Sequence, residues 1–313
     1  MRIVFLGSGS FAVPGLEALI DAGHEVAAVV TQPDRVKGRG QELAAPPVKP
    51  AAAARGLPIV QVERVRAPEA QAALRALAPE LQVVIAFGQI LPRSVIDIAP
   101  RGTVNVHASL LPKLRGAAPI QWAIARGETE TGVTTMLIDE GLDTGPILLG
   151  RSLAIGPEET AAELEPRLAR LGAELLVETV AGLAAGTVAP RPQDAARATH
   201  APILTREDGR VDWSRTAAEI ACRGRGFTPW PGAFTTHDGR ALKLLRTRPL
   251  AARVAPPGAV PGEILEAGRD GLHVACGGGT VLDVAEVQPE SRRAMTAQAW
   301  AAGARVRAGA RLG

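Results

Sequence analysis

The order of apolar and polar stretches in the first 185 residues predicts alternating strands and helices. The predicted strands cover residues 2–6, 25–30, 59–60, 83–86, 103–107, 133–137 and 147–154. The predicted helices cover residues 14–22, 47–55, 68–76 and 160–185. Strand–helix alternation of this kind is typical of an α/β fold with a doubly wound, mostly parallel sheet covered by helices on both faces.

The pattern changes after residue 186. Pro190, Pro192 and Pro202 interrupt it, and residues 187–205 are predicted to form a linker. One helix follows at residues 217–224. Five short strands separated by glycines then cover residues 233–237, 242–246, 262–267, 271–275 and 281–287. Short strands at this spacing predict a small β-barrel. We therefore expect a first domain over residues 1–186 and a second over residues 206–313.

Composition describes a globular protein, with 46% hydrophobic and 21% charged residues. No apolar run approaches the roughly 18 residues that a membrane span requires, so no membrane partner is expected. The two cysteines, Cys222 and Cys276, lack metal-ligand spacing and are interpreted as free thiols in a reducing cytoplasm. We expect no metal and no bound cofactor.

Charge is distributed unevenly between the two halves. Residues 1–205 hold 19 Lys and Arg against 21 Asp and Glu, whereas residues 206–313 hold 16 against 11. A basic second domain suggests contact with a polyanion. Because only four of the basic residues are lysines, the alternative is that arginine simply takes the place of lysine on solvated faces. Charge alone does not separate these interpretations.

The candidate chemistry lies on the strand 103–107. Asn105 and His107 alternate with Val104 and Val106, so both polar side chains face one side of the sheet. An amide donor and an imidazole directed at one point can hold a carbonyl oxygen as it gains negative charge. A carboxylate such as Asp143 could orient the imidazole or accept a proton. This set suits acyl transfer to an amine. The alternatives are a core histidine and, for Asp143, a turn residue.

A glycine-rich turn after the first strand suggests a different chemistry. Residues 7–12 fit the Gly-x-Gly-x-x-Ala dinucleotide pattern of an oxidoreductase. That pattern requires an acidic residue at the end of the second strand, where this chain has Thr31 and Gln32. Tight strand-to-helix geometry explains the glycines without a dinucleotide.

Two sequence blocks carry a family resemblance. Asn-Val-His-Ala-Ser-Leu-Leu-Pro at residues 105–112 and Asp-Thr-Gly at residues 143–145 resemble the catalytic segments of the folate-dependent formyltransferases. Further blocks at residues 31–35, 38–40, 115–120, 212–214, 229–232 and 287–289 resemble the methionyl-tRNA formyltransferase family over nearly the whole chain. The resemblance implies a Rossmann-like catalytic domain and a small OB-like β-barrel domain at the C-terminus.

The resemblance also assigns roles to residues. Asn105, His107 and Asp143 would be catalytic, and 10-formyltetrahydrofolate would be the co-substrate. The implied folate-binding residues are Phe87, Gly88, Ile90, Leu91, Ser109, Leu110, Leu111 and Pro112. The implied tRNA-binding residues are Arg35, Lys37, Gly38 and Arg39. Two departures stand out: Ser8-Gly9 replaces the usual Thr-Pro, and Gln41-Glu42 replaces two lysines.

The implied function is formylation of the methionine carried by initiator tRNA, performed in the cytoplasm by a monomer. The nearest alternatives are folate-dependent formyl transfer to an amino sugar nucleotide or to glycinamide ribonucleotide. The basic segment around Arg35 and Arg39 favours tRNA. A non-catalytic tRNA-binding protein is a third possibility, and it would make the set Asn105, His107 and Asp143 vestigial.

Overall fold

The computed structural model describes residues 1–37, 42–268 and 271–313. These residues divide into two units by their internal contacts. The first unit comprises Met1–Pro119, Glu130–Ala154 and Glu165–Pro202, and the second comprises Ile120–Thr129, Ile155–Leu164 and Ile203–Gly313. Neither unit is therefore a continuous stretch of chain. No helix in the described part of the chain is long and apolar enough to cross a membrane.

The sheet of the first unit is built from seven strands. They are β1 (Arg2–Gly7), β2 (Glu25–Thr31), β5 (Ile59–Gln61), β6 (Leu81–Ile85), β7 (Thr103–His107), β8 (Glu130–Leu137) and β9 (Ile147–Ala154). A separate hairpin pairs β3 (Arg35–Lys37) with β4 (Glu42–Ala44). The helices of this part of the chain are α1 (Val13–Asp21), α2 (Val48–Ala54), α3 (Pro68–Ala76), α4 (Arg93–Ile96) and α6 (Ala161–Ala185).

The strand order is β5-β2-β1-β6-β7-β8-β9. The first five strands of that order are parallel, and β8 and β9 join antiparallel. This confirms the predicted mostly parallel, Rossmann-like sheet. The chain runs outward from β1 to β5 and then returns to β6 on the other side of β1. Ligands of such sheets bind at this switch point, beyond the carboxyl ends of the strands.

Two opposite faces of the sheet are covered by helices. On one face Val84 of β6 packs in a buried cluster with Leu74 of α3 and Val95 of α4. On the other face Gly172 of α6 lies so close to β7 that an added Cβ would meet Cγ1 of Val106 at 3.1 Å. Since side chains alternate along a strand, the neighbours of Val106 point away from α6.

The second unit contains a six-stranded antiparallel sheet. Its strands are β10 (Ala233–His237), β11 (Arg240–Val254), β12 (Ile264–Gly268), β13 (Gly271–Ala275), β14 (Thr280–Pro289) and β15 (Met295–Thr296). The order is β10-β11-β14-β13-β12, with β15 beside β14. Within the described ranges no pairing closes the sheet into a barrel. The helices α7 (Ala217–Gly226) and α8 (Ala297–Gly303) contribute Ile220 and Trp300 to its core.

Helix α5 (Pro119–Ala125) lies almost wholly in residues assigned to the second unit. Its Trp122 meets Phe227 edge to face, with ring centroids 5.3 Å apart. An added Cβ at Gly226 would lie 2.6 Å from the backbone oxygen of Gln121, so only glycine fits at the end of α7. Residues 120–129, from the middle of the sequence, thus pack with the C-terminal residues of the second unit.

Several elements differ from the sequence prediction. The strands of the hairpin β3–β4 were not predicted, because three-residue strands are too short to show alternation. Helices α5 and α8 were not predicted, and β11 is about three times as long as expected. The segment predicted as a linker is paired up to residue 202: Arg191 and Ile147 exchange two backbone hydrogen bonds of 2.8 Å. Prolines exclude helix but permit such an extended pairing.

Candidate active site

Strand β7 positions two of the candidate catalytic side chains. Asn105 and His107 both point away from α6, on the face where the hydroxyl of Thr103 donates to the backbone oxygen of Ile96 at 2.9 Å. His107 is 6% exposed and Asn105 is half-buried. No residue in the described ranges hydrogen-bonds with the Asn105 carboxamide. That amide is therefore available as a donor to a bound molecule.

The imidazole of His107 is held through one nitrogen. Its Nε2 lies 3.0 Å from the backbone oxygen of Leu114. Because a carbonyl oxygen can only accept, Nε2 carries a proton and donates. Leu114 has a φ of 59°, and its N–H donates to Oγ1 of Thr199 at 2.8 Å. With Nε2 committed in this way, Nδ1 is the ring atom left for chemistry.

Asp143 lies next to that free nitrogen. Its Oδ2 is 3.7 Å from Nδ1 of His107, within ion-pair range but too long for a hydrogen bond. The same oxygen accepts the N–H of Gly116 at 2.8 Å. Gly116 has a φ of 120°, and an added Cβ would lie 2.6 Å from the backbone oxygen of Ala201, so only glycine fits there. The structure thus brings Asp143 together with His107, as the resemblance implied.

Sequence reasoning missed one polar residue at this site, Gln193. Its Nε2 donates to the backbone oxygens of Asp143 at 2.8 Å and Gly145 at 2.7 Å. Its Oε1 accepts from Nε and Nη2 of Arg115 at 3.1 and 2.7 Å. Gln193 lies in the segment predicted as a linker. The one available signal was Arg115 itself, a cation in an apolar block that needs an acceptor.

The candidate folate-binding residues fall into buried and accessible groups. Phe87 and Leu91 are part of the core cluster beneath the sheet edge, at 2% and 7% exposure, whereas Ile90 is 86% exposed. Gly88 between them is exposed, with a φ of 79°. The segment therefore presents Ile90 and backbone groups to solvent, on a base fixed by Phe87 and Leu91.

The second candidate folate segment follows β7. Ser109 is fully buried, and its hydroxyl donates to the backbone oxygen of Lys113 at 2.6 Å, which occupies that group within the turn. Leu111 is also buried, while Leu110 and Pro112 are partly exposed. Because β6 and β7 are parallel neighbours, both candidate segments leave the sheet at the same edge.

The glycine-rich turn after β1 is occupied by protein contacts. An added Cβ at Gly7 would lie 2.6 Å from Cε1 of Phe5, so packing alone requires this glycine. Ser8 donates to the backbone oxygen of Phe87 at 3.3 Å, and Gln32 donates to the same oxygen at 3.0 Å. Gln32 thus fills the place where a dinucleotide site would have a ribose-binding acid.

The base of the β3–β4 hairpin is fixed by a charged cluster. Nζ of Lys49 lies 2.8 Å from Oδ2 of Asp34, and Nε2 of Gln61 donates to Oδ1 of Asp34 at 2.8 Å. The hydrogen bond from Lys49, then that from Gln61, holds the pKa of Asp34 below its usual value.

Two of the candidate tRNA-binding residues can be placed on this hairpin. Arg35 is exposed on β3, and Lys37 ends that strand. Gly38 and Arg39 lie outside the described residues. Across the parts of the chain that are described, no group of three His, Cys, Asp or Glu could hold a metal ion.

Comparison with known proteins agrees with this geometry. Residues 1–180 match the family described as formyl transferase, and residues 203–305 match the formyl transferase C-terminal domain. The chain is 55% identical to the methionyl-tRNA formyltransferase of Solibacter usitatus, over 100% of this chain and 99% of that protein. It is 57% identical to the methionyl-tRNA formyltransferase of Anaeromyxobacter dehalogenans, over 95% of each.

Solved structures share the fold at low identity. WlaRD, a sugar 3N-formyl transferase crystallised with dTDP and 5-N-formyl-THF, has a TM-score of 0.68 at 17% identity, over 94% of this chain and 99% of that chain. HypX from Aquifex aeolicus, in complex with tetrahydrofolic acid, has a TM-score of 0.63 at 18% identity, over 96% of this chain and 47% of that chain. With full-length relatives at 50–57% identity, this chain belongs to the methionyl-tRNA formyltransferase family of formyl transferases.

Proposed function

We propose that this chain transfers the formyl group of 10-formyltetrahydrofolate to the α-amino group of methionine on initiator methionyl-tRNA, for translation initiation in the cytoplasm. The observation that carries the proposal is the 55% identity over the whole chain to a methionyl-tRNA formyltransferase. An alternative acceptor such as an amino sugar nucleotide is supported only by likeness at 16–17% identity, which shows the fold alone.

The reaction needs a group that stabilises negative charge on the formyl oxygen. The neutral amine attacks the formyl carbon, and the carbonyl oxygen becomes an oxyanion. The free carboxamide of Asn105 is positioned to donate to that oxygen. His107 keeps Nε2–H on Leu114, so a second proton on Nδ1 would give the ring a positive charge beside the oxyanion. Asn105 and His107 thus share the charge stabilisation.

The second half of the reaction is a proton movement. The bond between the formyl carbon and the folate nitrogen breaks as the new amide forms. The proton lost by the attacking amine must reach the departing folate nitrogen. Asp143, 3.7 Å from Nδ1 of His107, is placed to relay it, directly or through a water molecule. The products are formylmethionyl-tRNA and tetrahydrofolate, and no metal enters the scheme.

The folate ring system would bind at the carboxyl ends of β6 and β7. A flat ring system needs two apolar walls and backbone groups for its ring nitrogens. Ile90 offers an exposed apolar surface on one side, with Gly88 leaving backbone accessible. Leu110 and Pro112 are the partly exposed groups on the other side. The buried residues would contribute indirectly, by fixing the backbone of the two segments: Phe87, Leu91, Ser109 and Leu111.

The tRNA would be contacted by both parts of the chain. Arg35 and Lys37 lie on the hairpin, and Gly38 and Arg39, which the resemblance implies for the same role, fall outside the described residues. The antiparallel sheet of the second unit would serve as an OB-like tRNA-binding domain over residues 206–313, where basic residues exceed acidic ones. Residues 1–186 would then form the catalytic domain.

A direct assay tests the proposal. The full chain is incubated with 10-formyltetrahydrofolate and charged initiator tRNA, and the amino acid released from the tRNA is analysed for formylmethionine. Parallel reactions use an amino sugar nucleotide and glycinamide ribonucleotide. Formylation of the tRNA alone supports the proposal. Formylation of either small acceptor, with none of the tRNA, would replace it with the corresponding alternative.

A further inference from the structure

We propose that Gln193 is a positioning residue of this reaction, which holds the Asp143 carboxylate beside His107. The inference rests on the proposed function, because its effect is measured on formyl transfer. In the described residues Gln193 makes no hydrogen bond to the side chains of Asn105, His107 or Asp143. It acts on the loop between β8 and β9 that carries Asp143.

The orientation of the Gln193 carboxamide is determined by its partners. A guanidinium only donates, so the atom facing Arg115 must be the oxygen. Backbone oxygens only accept, so the atom facing Asp143 and Gly145 must be the nitrogen. The four contacts with nitrogen and oxygen atoms, between 2.7 and 3.1 Å, are satisfied by one orientation and by no other, and the same orientation directs Nε2 at Sδ of Met136 at 3.9 Å. A carboxylate or an apolar side chain at this position could not make the same set.

Asp143 is held at both of its ends. Its backbone oxygen accepts from Gln193, and its Oδ2 accepts from Gly116, the residue after Arg115. Its φ of 53° is in the left-handed region, which costs a non-glycine residue free energy and persists only where the surroundings impose it. Gly116 thus fixes the carboxylate of Asp143 directly, and Arg115 fixes the backbone of Asp143 through Gln193.

Ile138 at the start of this loop donates its N–H to the backbone oxygen of Thr103 at 2.8 Å, but between Asp139 and Thr144 the remaining hydrogen bonds are local. Asp139 Oδ1 accepts from the N–H of Gly141 at 3.1 Å and from the hydroxyl of Thr144 at 2.7 Å. Leu142, just before Asp143, is 60% exposed. These bonds shape the turn but do not direct it towards His107. The hydrogen bonds from Arg115 to Gln193 and from Gln193 to Asp143 hold the turn in its position beside His107.

Arg115 makes the link rigid. It is only 8% exposed, and within the described ranges its guanidinium has no carboxylate partner. Its N–H donates to the backbone oxygen of Thr199 at 2.8 Å, and its own oxygen accepts from Ala201 at 2.7 Å. Gln193 is therefore anchored to a side chain whose backbone is itself fixed. A displacement of about 1 Å in such a site can lower turnover by about 100-fold.

The test is a double-mutant cycle on formyl transfer to tRNA. Gln193→Met keeps the side-chain length but removes the hydrogen bonds to Arg115, Asp143 and Gly145. We expect it to lower kcat by about 10- to 100-fold, with the KM for 10-formyltetrahydrofolate changed by less than about 3-fold. In the Asp143→Asn background the same change should lower kcat by less than about 3-fold, because residues that act through one another are not additive.

Gln71→Glu is the matched control for a second variant, Gln193→Glu. Gln71 also accepts from an arginine, Arg75, at 3.1 Å and donates to a backbone oxygen, that of Arg66, at 3.0 Å, but on the exposed face of α3. Gln193→Glu directs a carboxylate at two backbone oxygens and should lower kcat like Gln193→Met. Gln71→Glu should leave kcat unchanged. If Gln193→Met does not fold, the cycle is run with Gln193→Glu.

The outcomes are distinct. Equal losses from the Gln193 substitution in both backgrounds, or a Gln193 variant with the kcat of the unmodified chain, would overturn the inference. Absence of tRNA formylation by the unmodified chain would overturn the proposed function instead.

Discussion

Each unit of the molecule contains a buried histidine among charged groups, and the two histidines differ in what their partners leave free. In the first unit His107 donates from Nε2 to a backbone oxygen, while Nδ1 faces Asp143 at 3.7 Å. In the second unit Nδ1 of His273 lies 3.0 Å from Oε2 of Glu266 and also contacts the guanidinium of Arg253, and Nε2 lies 3.6 Å from Asp283. His273 has a carboxylate beside each nitrogen.

The carboxylates beside His273 are themselves neutralised. Arg248 lies 2.8 Å from Asp283, and Arg253 pairs with Glu266. The cluster joins strands β11, β14, β13 and β12, which are consecutive neighbours in the sheet and end at its β12 edge. The group at His107 lies instead at the carboxyl end of a parallel strand, beside the unpartnered amide of Asn105. The charges around His273 are thus paired within the protein, whereas the carboxamide of Asn105 has no hydrogen-bond partner among the described residues and lies at the sheet edge where ligands of such folds bind.

The largest expected effect comes from removing the proposed oxyanion donors. Asn105→Ala or His107→Ala should lower kcat by about 100-fold or more, the scale of losing one such donor. Steady-state kinetics of tRNA formylation give the value, and the unfolding midpoint serves as the folding control. Turnover near that of the unmodified chain in a folded variant would place His107 in the same structural class as His273.

Asp143→Asn should damage turnover to a similar extent, because an amide cannot relay the proton. The affinity for 10-formyltetrahydrofolate, measured by fluorescence titration, should remain within about 3-fold. If the affinity for 10-formyltetrahydrofolate fell strongly while kcat stayed intact, Asp143 would be a residue of the folate pocket. It would then not differ from Glu266 and Asp283 by a role in proton transfer.

The cluster at His273 should affect stability and leave chemistry alone. His273→Gln removes a hydrogen bond to a charged group and should lower the free energy of unfolding by about 1–3 kcal/mol. Its kcat should remain within about 2-fold of the unmodified chain. Urea unfolding and tRNA formylation are measured on the same preparation. A loss of turnover without a loss of stability would contradict the structural role of this histidine.

The smallest effect is a pH dependence in the same cluster. The hydrogen bond from Arg253, then that from His273, holds the pKa of Glu266 below its usual value. A depressed carboxyl pKa stabilises the folded state fully above the unfolded value of about 4.3, and this contribution is lost as the pH falls through the folded value. Glu266→Gln should therefore lower the Tm at pH 7 but less so near pH 3. A difference in Tm that stays constant over this range would exclude the linkage.

The local sequence pattern was sufficient to predict the strand β7, but it was not sufficient to predict the contacts of Gln193. Five residues of alternating polarity predicted that Asn105 and His107 share a face, and Thr103–His107 is a strand with that alternation. The side-chain partners of Gln193 lie 48 to 78 positions away along the chain, so nothing near it in the sequence encodes them. The prolines around it predicted a linker, and a linker prediction contains no information about side-chain contacts.

The second sheet was predicted in outline for a similar reason. Its glycine-separated strands were recognisable, but the length of β11 was not, because bulges after Leu244 and Arg246 shift the alternation of buried and exposed residues. Whether a sheet closes depends on pairing between distant edges, which no single strand reports. The predicted barrel is accordingly an open antiparallel sheet in the residues described.

The interleaved course of the chain bears on how it is made. Trp122 in α5 leaves the ribosome about a hundred residues before Phe227, against which its ring rests in the finished protein. During synthesis the nascent chain must keep this apolar helix soluble until residues beyond 203 emerge. A chain cut near residue 205 would never supply Phe227, and aggregation of the fragment is its natural outcome. The two units cannot be separated with a single cut, because each contains residues from both sides of residue 203; their roles must be tested with point substitutions.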